Sequence, residues 1–425
     1  MFGLILILVC STLISARFIN DSCQININYK YGDFGAPQPL ILTRNNSSVF
    51  LYPQHMDRLN VFAMQKIILS CPGKNNYLKG IDNDKKLNSI ELICFRRNKF
   101  FYNFQEFILN PTNVSCNTFP KHVARRTSSR CYNNNTQIEI GFLITDKNNN
   151  QEFIRTIDLC RNDTHHWTYY THYKLTSKIE NLQLGFPRPR QWFGADFYEH
   201  NIDNLYKIST QISTLEILLG SKKLVSKFVA VNSTRFLSRG HMVPKSDFVY
   251  GNEQRSTFWY VNSAPQWQSF NGGNWNILES SIRKFAVKNG INLEIFTGIH
   301  GQMMIEDENN NQVPVYLFGN ETHRALEVPR FFWKVIYQPE TKKGTAFVGL
   351  NDPYQSAITE DMFICKDLSE RIKLINWNKK SLSKGVSYAC DIAYPCKSTT
   401  KIELHLKANY QVKPQHHHRP CFRLT

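Results

Sequence analysis

The sequence lacks several features that define common classes of protein. No stretch reaches the roughly 18 consecutive apolar residues that a membrane-spanning helix needs, which argues against a multi-pass membrane protein. Only 20 Gly and 17 Pro occur among 425 residues, too few for collagen. Acidic residues are scarce as well, since 34 Asp and Glu stand against 51 Lys and Arg, a formal net charge of +17. This basic excess indicates a polyanionic partner: nucleic acid, an acidic glycan or an anionic membrane surface.

The rest of the composition is that of a globular protein with two or three domains. Hydrophobic residues make up 42% of the chain and aromatic residues 13%, enough for a sizeable core and too much for intrinsic disorder. Residues 17–170 contain short alternating stretches separated by polar breaks. The clearest predicted strand covers 138–144, where Ile138, Ile140, Phe142 and Ile144 share one face. We therefore predict a small β-rich domain over residues 17–170.

The first residues form a short apolar run. Residues 2–14 are almost wholly apolar but too few to cross a bilayer, and small residues follow at Ser15 and Ala16. This pattern is typical of a secretory signal peptide cleaved near Ala16, and the alternative is a buried first helix. We expect residues 1–16 to be removed and the mature protein to be extracellular, without membrane attachment.

The cysteine pattern agrees with export. Cys10 lies in the predicted signal, and the other cysteines form a set of six between Cys23 and Cys160 and a set of four between Cys365 and Cys421. Two even sets predict two separately disulfide-bonded modules, with the pairing inside each set left open. The absence of any Cys-x-x-Cys pair argues against zinc. Glycosylation is expected at N-x-S/T sequons, among them Asn45, Asn46, Asn113, Asn134, Asn162, Asn232 and Asn320.

Helical periodicity begins after a proline-rich stretch. Residues 185–190, Gly-Phe-Pro-Arg-Pro-Arg, read as a linker because two prolines block regular helix. A helix is then predicted over 203–219 from the spacing of Leu205, Ile208, Ile212, Leu215 and Leu218. Residues 204–250 contain seven Lys or Arg against two acidic residues, so the local charge is also basic.

The segment 235–290 concentrates polar side chains ahead of a second helix. Arg239 and His241 flank Gly240, which allows a ligand or backbone to approach closely. An apolar stripe predicts the helix, which should end at the cap signal of residues 289–290. Its members are Trp275, Leu278, Ile282 and Phe285. Taken singly, the polar residues have ordinary explanations: a structural histidine, a capping asparagine, and an intrahelical ion pair between Glu279 and Arg283.

The ordered motifs of this segment resemble those of a known family. The chain reads Arg-Gly-His-Met-x-Pro at 239–244, Asn-x-Ala-Pro-Gln at 262–266, Phe-Asn-x-Gly-x-Trp at 270–275 and Leu-Glu at 278–279. Together they resemble the DNA/RNA non-specific endonucleases, the ββα-metal or His-Me finger nucleases that include endonuclease G and secreted bacterial nucleases. The stretch 260–275 is especially similar to secreted double-stranded ribonucleases of insects.

The resemblance covers roughly residues 175–400 and implies an α+β fold. The expected architecture is a ββα-metal nuclease domain over residues 175–425, with a mixed or antiparallel sheet and helices, preceded by the disulfide-bonded β-rich domain of residues 17–170. It also implies cleavage of nucleic acid, with double-stranded RNA as the expected substrate and duplex DNA and single strands left open.

The resemblance implies roles for individual residues. His241 matches the general base, and Asn271 matches the one direct side-chain ligand of a divalent metal, expected to be Mg²⁺, with Mn²⁺ or another divalent ion as alternatives. Glu279 matches the helix carboxylate that helps to hold water around the metal, and Arg283 a catalytic basic residue one turn later. The other expected site residues are Arg239 as a catalytic residue, Asn262 and Gln266 around it, and Lys245 as a candidate phosphate contact.

One position departs from the family pattern. An Asp often precedes Arg-Gly-His in the family, and Ser238 stands there in this chain. The family also uses a basic residue upstream, for which Arg188, Arg190 and Arg235 are candidates.

Two alternative functions follow from these observations. The departure at position 238 is compatible with a nucleic-acid-binding protein of the same fold without catalysis. The charge alone is compatible with a basic extracellular glycan-binding protein.

Overall fold

The computed structural model describes residues 22–391 except 82–84, 110–112, 147 and 320–322. The predicted signal peptide, the Asn320 sequon, Cys396 and Cys421 lie outside the described residues. In the described part of the chain the fold is α+β and dominated by antiparallel strands, and the described α-helices lie between residues 202 and 289. Within the described residues, no helix is both long enough and apolar enough to span a membrane.

Residues 22–116 form a β module. Its strands are β1 (Cys23–Asn26), β2 (Leu40–Asn45), β3 (Ser47–Phe50), β4 (Arg58–Val61), β5 (Lys66–Ser70), β6 (Leu78–Lys79), β7 (Ser89–Arg96), β8 (Lys99–Tyr102), β9 (Gln105–Ile108) and β10 (Ser115–Cys116). Six of them form a sheet in the order β3-β2-β5-β7-β8-β9, and β1 pairs with β4 and β6 with β10.

Fourteen further strands are described after the module. They are β11 (His122–Arg130), β12 (Thr136–Thr145), β13 (Gln151–Asn162), β14 (Trp167–Leu175), β15 (Leu237–His241), β16 (Ser263–Trp267), β17 (Leu293–Gln302), β18 (Met304–Glu306), β19 (Gln312–Pro314), β20 (Tyr316–Gly319), β21 (Arg324–Glu327), β22 (Pro329–Gln338), β23 (Lys343–Leu350) and β24 (Ser387–Cys390). Eight of these form an antiparallel sheet in the order β11-β12-β13-β14-β17-β22-β23-β24.

The helices described by the structure lie, in sequence, between β14 and β17, the fourth and fifth strands of the large sheet. They are α1 (Ile202–Leu205), α2 (Ile208–Leu219), α3 (Lys222–Phe228), α4 (Gly251–Ser256), α5 (Gln268–Phe270) and α6 (Asn276–Asn289). A π-helical turn at Asn271–Trp275 joins α5 to α6. Short 3₁₀ turns occur at Tyr132–Asn134, Ser177–Asn181, Ala195–Phe197, Lys245–Asp247, Tyr260–Asn262, Glu360–Met362 and Ser369–Arg371.

The strand predicted over 138–144 is confirmed. It lies inside β12, and its four alternating apolar side chains are all buried, from Ile138 at 0% exposure to Ile144 at 3%. Period-two alternation identified it because one face of the sheet packs on the core.

The helix predicted over 203–219 is divided in two. The backbone of Lys207 is extended, with φ −65° and ψ 137°, so α1 ends before it and α2 begins after it. The amide of Gln211 explains the break, because its Nε2 donates to the Tyr206 carbonyl at 3.0 Å and to the Leu237 carbonyl at 2.9 Å. This buried side chain ties the helix break to the first residue of β15, which periodicity alone could not show.

The large sheet crosses the domain boundary predicted at residues 170–175. Strand β14 pairs with β17, with Tyr173 opposite Ile295 and Leu175 opposite Leu293. One continuous hydrophobic core extends from Ile25 in the β module to Phe332 in β22. Residues on both sides of the predicted boundary therefore share one sheet and one core.

Among the described residues, each disulfide connects two cysteines of the same predicted set. The early set forms Cys23–Cys94, Cys71–Cys116 and Cys131–Cys160. In the late set, Cys365 pairs with Cys390. The first two bonds close the β module, which has short strands and little helix to stabilise it.

The proline-rich stretch 185–190 is packed rather than free. Phe186 is 2% exposed and contacts the rings of Tyr29 and Phe119 at centroid distances of 4.4 and 5.7 Å. A Cβ at Gly251, the first residue of α4, would lie 1.9 Å from the Phe186 ring. Only glycine allows α4 to approach this ring so closely.

Buried hydrogen bonds also join the β module to α4. Asn252 Nδ2 donates to the Gln38 carbonyl at 2.9 Å, and Tyr52 Oη donates to Glu253 Oε1 at 2.8 Å. Gln183 contributes a third connection, because its Nε2 donates to Gln38 Oε1 at 2.8 Å while its Oε1 accepts from the Gly251 amide at 2.7 Å. The module therefore holds the helix that links β15 to β16.

The buried carboxyl of Glu253 predicts a pH-dependent stability. Burial raises the pKa of Glu253 from 4.5 to about 8. The folded state binds this proton more tightly than the unfolded chain does. The stabilisation of the folded protein by the protonated carboxyl is therefore complete below about pH 4.5 and is lost as the pH rises through 8. Ionisation of this carboxyl should therefore lower the unfolding free energy of the wild type by about 2–5 kcal/mol between pH 5 and pH 9. In Glu253→Gln, which has no carboxyl to ionise, this part of the decline should be absent.

Urea unfolding of wild type and Glu253→Gln at pH 5, 7 and 9 measures this effect. Glu91→Gln is the matched control, because Glu91 is an exposed carboxylate of the same module, paired with Lys66 at 2.9 Å. Equal pH slopes for wild type and Glu253→Gln would contradict the prediction.

Candidate active site

A short antiparallel hairpin carries the predicted motifs. Strand β15 pairs with β16, with Ser238 opposite Gln266, Gly240 opposite Ala264 and His241 opposite Ser263. A Cβ at Gly240 would lie 2.4 Å from Gln266 Oε1, so this position requires glycine. The chain then passes through α5 and the π turn into α6, which completes a strand-strand-helix unit.

His241 lies at the end of β15 under an aromatic cover. The rings of Trp192 and Phe258 approach the imidazole at centroid distances of 4.6 and 5.0 Å. Its Nε2 atom is buried and has no hydrogen-bond partner among the described residues. Burial, followed by the positive charges of Arg188 and Lys245, lowers the pKa of His241 to about 3. The imidazole is therefore neutral at physiological pH and able to accept a proton.

Asn271 lies in the π turn and is oriented by the hairpin. Its Nδ2 donates to Ser238 Oγ at 3.0 Å, and the Ser238 hydroxyl donates to the Gln266 carbonyl at 2.9 Å. The π turn is an uncommon geometry that often marks functional sites, and Gly273 within it has a non-helical ψ of −124°. The structure thus places the predicted metal ligand beside β15.

The predicted helix is confirmed, and its carboxylate lies in a buried cluster of charges. Helix α6 buries Leu278 and Ile282, and it ends at Gly290 in the left-handed conformation with φ 63°. Burial raises the pKa of Glu279 to about 7, opposed mainly by the charge of Lys334. Lys334 itself is 1% exposed, and its Nζ donates to the carbonyl of Met242 at 3.4 Å, next to His241.

The ion pair predicted between Glu279 and Arg283 is replaced by a tertiary one. Arg283 Nη1 lies 2.7 Å from Asp247 Oδ1. Asp247 is 3% exposed and also accepts a hydrogen bond from Tyr173 Oη. The Asp247 carboxylate is thus almost fully buried and makes a direct charge-assisted contact with the guanidinium, and such contacts are short and strong.

Arg239 is paired in a similar way. Its Nη2 lies 2.9 Å from Asp203 Oδ1, and its guanidinium carbon lies 4.8 Å from the Tyr206 ring centre. Arg239 and Arg283 therefore have their charges balanced by carboxylates. The positive charges that act on His241 come instead from Lys245 and from Arg188, one of the three upstream candidates.

Asn262 and Gln266 have different environments. The Asn262 amide accepts from the Val243 amide at 3.0 Å and donates to the carbonyls of Val243 and Thr257 at 3.1 and 2.9 Å. It fixes the backbone just after His241. Gln266 is fully buried, and neither amide atom has a partner among the described residues.

Sequence reasoning did not single out Trp192, Asp247 or Lys334. Trp192 and Lys334 lie outside residues 235–290, and no spacing in the sequence relates either of them to His241. The only sequence signal at Asp247 is that it is one of two acidic residues in the basic stretch 204–250. Their roles depend on which segments pack together, and a single sequence contains no such signal.

The donors present fit a hard divalent cation. No group of three His, Cys, Asp or Glu able to hold a metal occurs in the described residues. The candidate direct ligand is instead an oxygen, the Asn271 Oδ1 atom, and the Glu279 carboxylate is a candidate to hold water around the ion. Oxygen is what Mg²⁺ prefers, with water in its remaining positions. The unpartnered polar atoms of His241 and Gln266 are further groups that ordered water could satisfy.

The fold and the hairpin-helix unit define the class of this protein. Two antiparallel strands with a histidine on the first, followed by a helix preceded by an asparagine, form the ββα-metal nuclease fold. The sequence pattern of the DNA/RNA non-specific endonucleases matches residues 133–394. The chain belongs to this family of divalent-metal-dependent nucleases, whose substrate is nucleic acid.

Proteins similar to this chain include two that are named as salivary. The chain is 27% identical over 303 residues to the salivary endonuclease of Lutzomyia longipalpis, covering 71% of this chain and 68% of that protein. It is 24% identical over 374 residues to salivary protein Tsal2A of Glossina morsitans morsitans, covering 87% and 88%. The crystal structure of the EndoG/EndoGI complex aligns with a TM-score of 0.31 and 18% identity, covering 53% of this chain and 81% of that chain.

Proposed function

We propose that this protein is a secreted endonuclease that hydrolyses phosphodiester bonds of nucleic acid without sequence specificity, with His241 as the general base. The observation that carries the proposal is the neutral imidazole of His241, held beside the positive charges of Arg188 and Lys245. A neutral imidazole can take a proton from attacking water, while the cations bind the phosphate.

The other residues of the site have supporting roles in this proposal. Asn271 would hold Mg²⁺ or another divalent ion directly, and Glu279 on α6 would help to hold the water around it. Such an ion neutralises phosphate oxygens and the departing 3′ oxygen when bound. Arg188 and Lys245 contact phosphate, whereas Arg239 and Arg283 maintain the site through their ion pairs with Asp203 and Asp247.

The substrate is expected to be recognised through its phosphates. Phosphate contacts position a protein but carry no sequence information, so cleavage should show little sequence preference and strong dependence on salt. Double-stranded RNA is the first substrate to test because of the resemblance to insect ribonucleases, followed by duplex DNA and single strands. Secretion is supported by the apolar N-terminus, the disulfides and the salivary relatives.

For the two domains we propose bounds that differ from those predicted from the sequence. Residues 122–391 contribute the large sheet and the hairpin-helix unit, and we assign them to the nuclease. Residues 22–116 form the β module, whose role is to hold α4 and thereby the two strands of the hairpin. The contacts of Gln38, Tyr52 and Gln183 support this assignment.

A cleavage assay with purified protein tests the proposal. The wild-type protein is incubated with double-stranded RNA, duplex DNA or single strands, each in the presence of Mg²⁺, Mn²⁺ or a chelator. Cleavage that needs the cation and yields 5′-phosphate ends is the expected result, and the relative rates rank the substrates. A folded wild type that binds nucleic acid without cutting it would support the inactive binder, and one that binds only heparin would support the glycan-binding protein.

The pKa values of the site predict which group limits activity in acid. His241 is neutral above about pH 3, whereas burial raises the pKa of Glu279 to about 7. If the anionic form of Glu279 is the active one, kcat/KM should rise with pH up to about 7 and then level off. Glu279→Gln should lower kcat/KM and flatten the profile between pH 5 and pH 8.

Initial rates at low substrate across pH 5–8 measure this profile for both proteins. Persistence of the same acid limb in Glu279→Gln would assign the limb to another group, with His241 the first to examine.

A further inference from the structure

We propose that Ser238 is a positioning residue that fixes the amide of Asn271, so that Asn271 Oδ1 faces the divalent ion. The inference rests on the proposed function and concerns the position at which this chain departs from its family. At this position the chain has a hydroxyl group in place of a carboxylate.

The direction of the two hydrogen bonds carries the argument. The Ser238 hydroxyl lies 2.9 Å from the Gln266 carbonyl, and a carbonyl oxygen can only accept, so the hydroxyl proton points to Gln266. The hydroxyl oxygen is then left with lone pairs toward Asn271, 3.0 Å away. Of the two ends of the Asn271 amide, only the NH₂ group can donate to them, so this contact favours one orientation of the amide.

This orientation leaves the other end of the amide for the metal. Within the described residues, the Asn271 side chain forms no hydrogen bond besides the one from Nδ2 to Ser238. With Nδ2 held, Oδ1 is directed away from Ser238. Reversing the amide would bring Oδ1 against the hydroxyl oxygen and present NH₂ to a cation, and both contacts are repulsive. Ser238 thus selects the ligating orientation.

The hairpin register makes serine suitable for this role. Ser238 lies directly opposite Gln266, so its short side chain reaches the carbonyl of its own cross-strand partner. A carboxylate at position 238 could not donate to that carbonyl. The hydroxyl both donates and accepts, and it does so without adding negative charge that would reduce the field of the cation on phosphate.

Manganese binding without nucleic acid tests the inference. Free Mn²⁺ is followed by electron paramagnetic resonance as full-length wild type, Ser238→Ala, Ser238→Thr and Asn271→Ala are titrated. Ser238→Ala should weaken Mn²⁺ binding by about 10- to 100-fold, as is usual when the partner of a metal ligand is removed. Ser238→Thr keeps the hydroxyl and should bind within a few-fold of wild type.

Ser263→Ala is the matched control. Ser263 also lies on the hairpin and donates to a backbone carbonyl, that of Tyr260, at 2.9 Å, but it does not contact Asn271. Thermal unfolding in chelator should show similar losses for Ser263→Ala and Ser238→Ala, with a weakened Mn²⁺ affinity only in the latter.

The outcomes separate this inference from the proposed function. Loss of Mn²⁺ affinity in Asn271→Ala but not in Ser238→Ala overturns the role of Ser238 and leaves the proposed metal site intact. Failure of wild type to bind Mn²⁺, or unchanged binding by Asn271→Ala, overturns both. Weak binding by Ser238→Ala with rescue by Ser238→Thr supports the inference.

Discussion

Replacing His241 by alanine is expected to reduce kcat by about 10²- to 10⁴-fold, the usual contribution of a general base. The charged groups that act on it, Arg188 and Lys245, are basic side chains and offer no replacement proton acceptor. Binding of nucleic acid should change little, since phosphate contacts are independent of the imidazole. Single-turnover cleavage and a separate binding titration distinguish the two effects.

His300→Ala is the control for loss of a partly buried imidazole. His300 lies on β17, a strand of the large sheet, where burial also lowers its pKa, and its ring is 6.4 Å from that of Phe331. This variant should keep nearly wild-type kcat. Wild-type cleavage by a folded His241→Ala protein would rule out the proposed mechanism.

Deleting residues 22–121 is expected to abolish folding of the catalytic hairpin and not merely to reduce activity. The deletion removes the β module and exposes apolar side chains of the shared core, and it leaves Asn252 and Glu253 without their buried partners Gln38 and Tyr52. Each buried polar group left unsatisfied costs about 1–3 kcal/mol, a large part of the total stability of a domain. Recovery of soluble protein and its circular dichroism measure the result.

A point variant tests the same contact in a chain that still folds. Tyr52→Phe removes the hydroxyl that donates to Glu253 Oε1, so the unfolding free energy should fall by about 1–3 kcal/mol. Tyr77→Phe is the control, because Tyr77 Oη donates to the exposed Asn75 side chain at 3.3 Å, where water can replace it. A truncated protein with wild-type activity would show that the module is dispensable.

Much of the local structure could be predicted because local spacing determines it. Alternation at residues 138–144 marked one buried face of β12, and the stripe from Trp275 to Ile282 marked the buried face of α6. The left-handed Gly290 ended that helix as its sequence signal indicated. The break between α1 and α2 could not be predicted, because the Gln211 amide that stabilises it bonds to Leu237, distant in sequence.

By itself, the sequence determined the secondary-structure types, the two cysteine sets and the family, because hydrophobic period, residue type and motif order are properties of the chain alone. The tertiary structure decided which groups act on one another. It paired Arg283 with Asp247, covered His241 with Trp192, and placed Ser238 against Asn271. These contacts depend on the burial and approach of segments far apart in sequence. Hydrogen bonds and ion pairs act over only a few ångströms, so folding must bring their partners together.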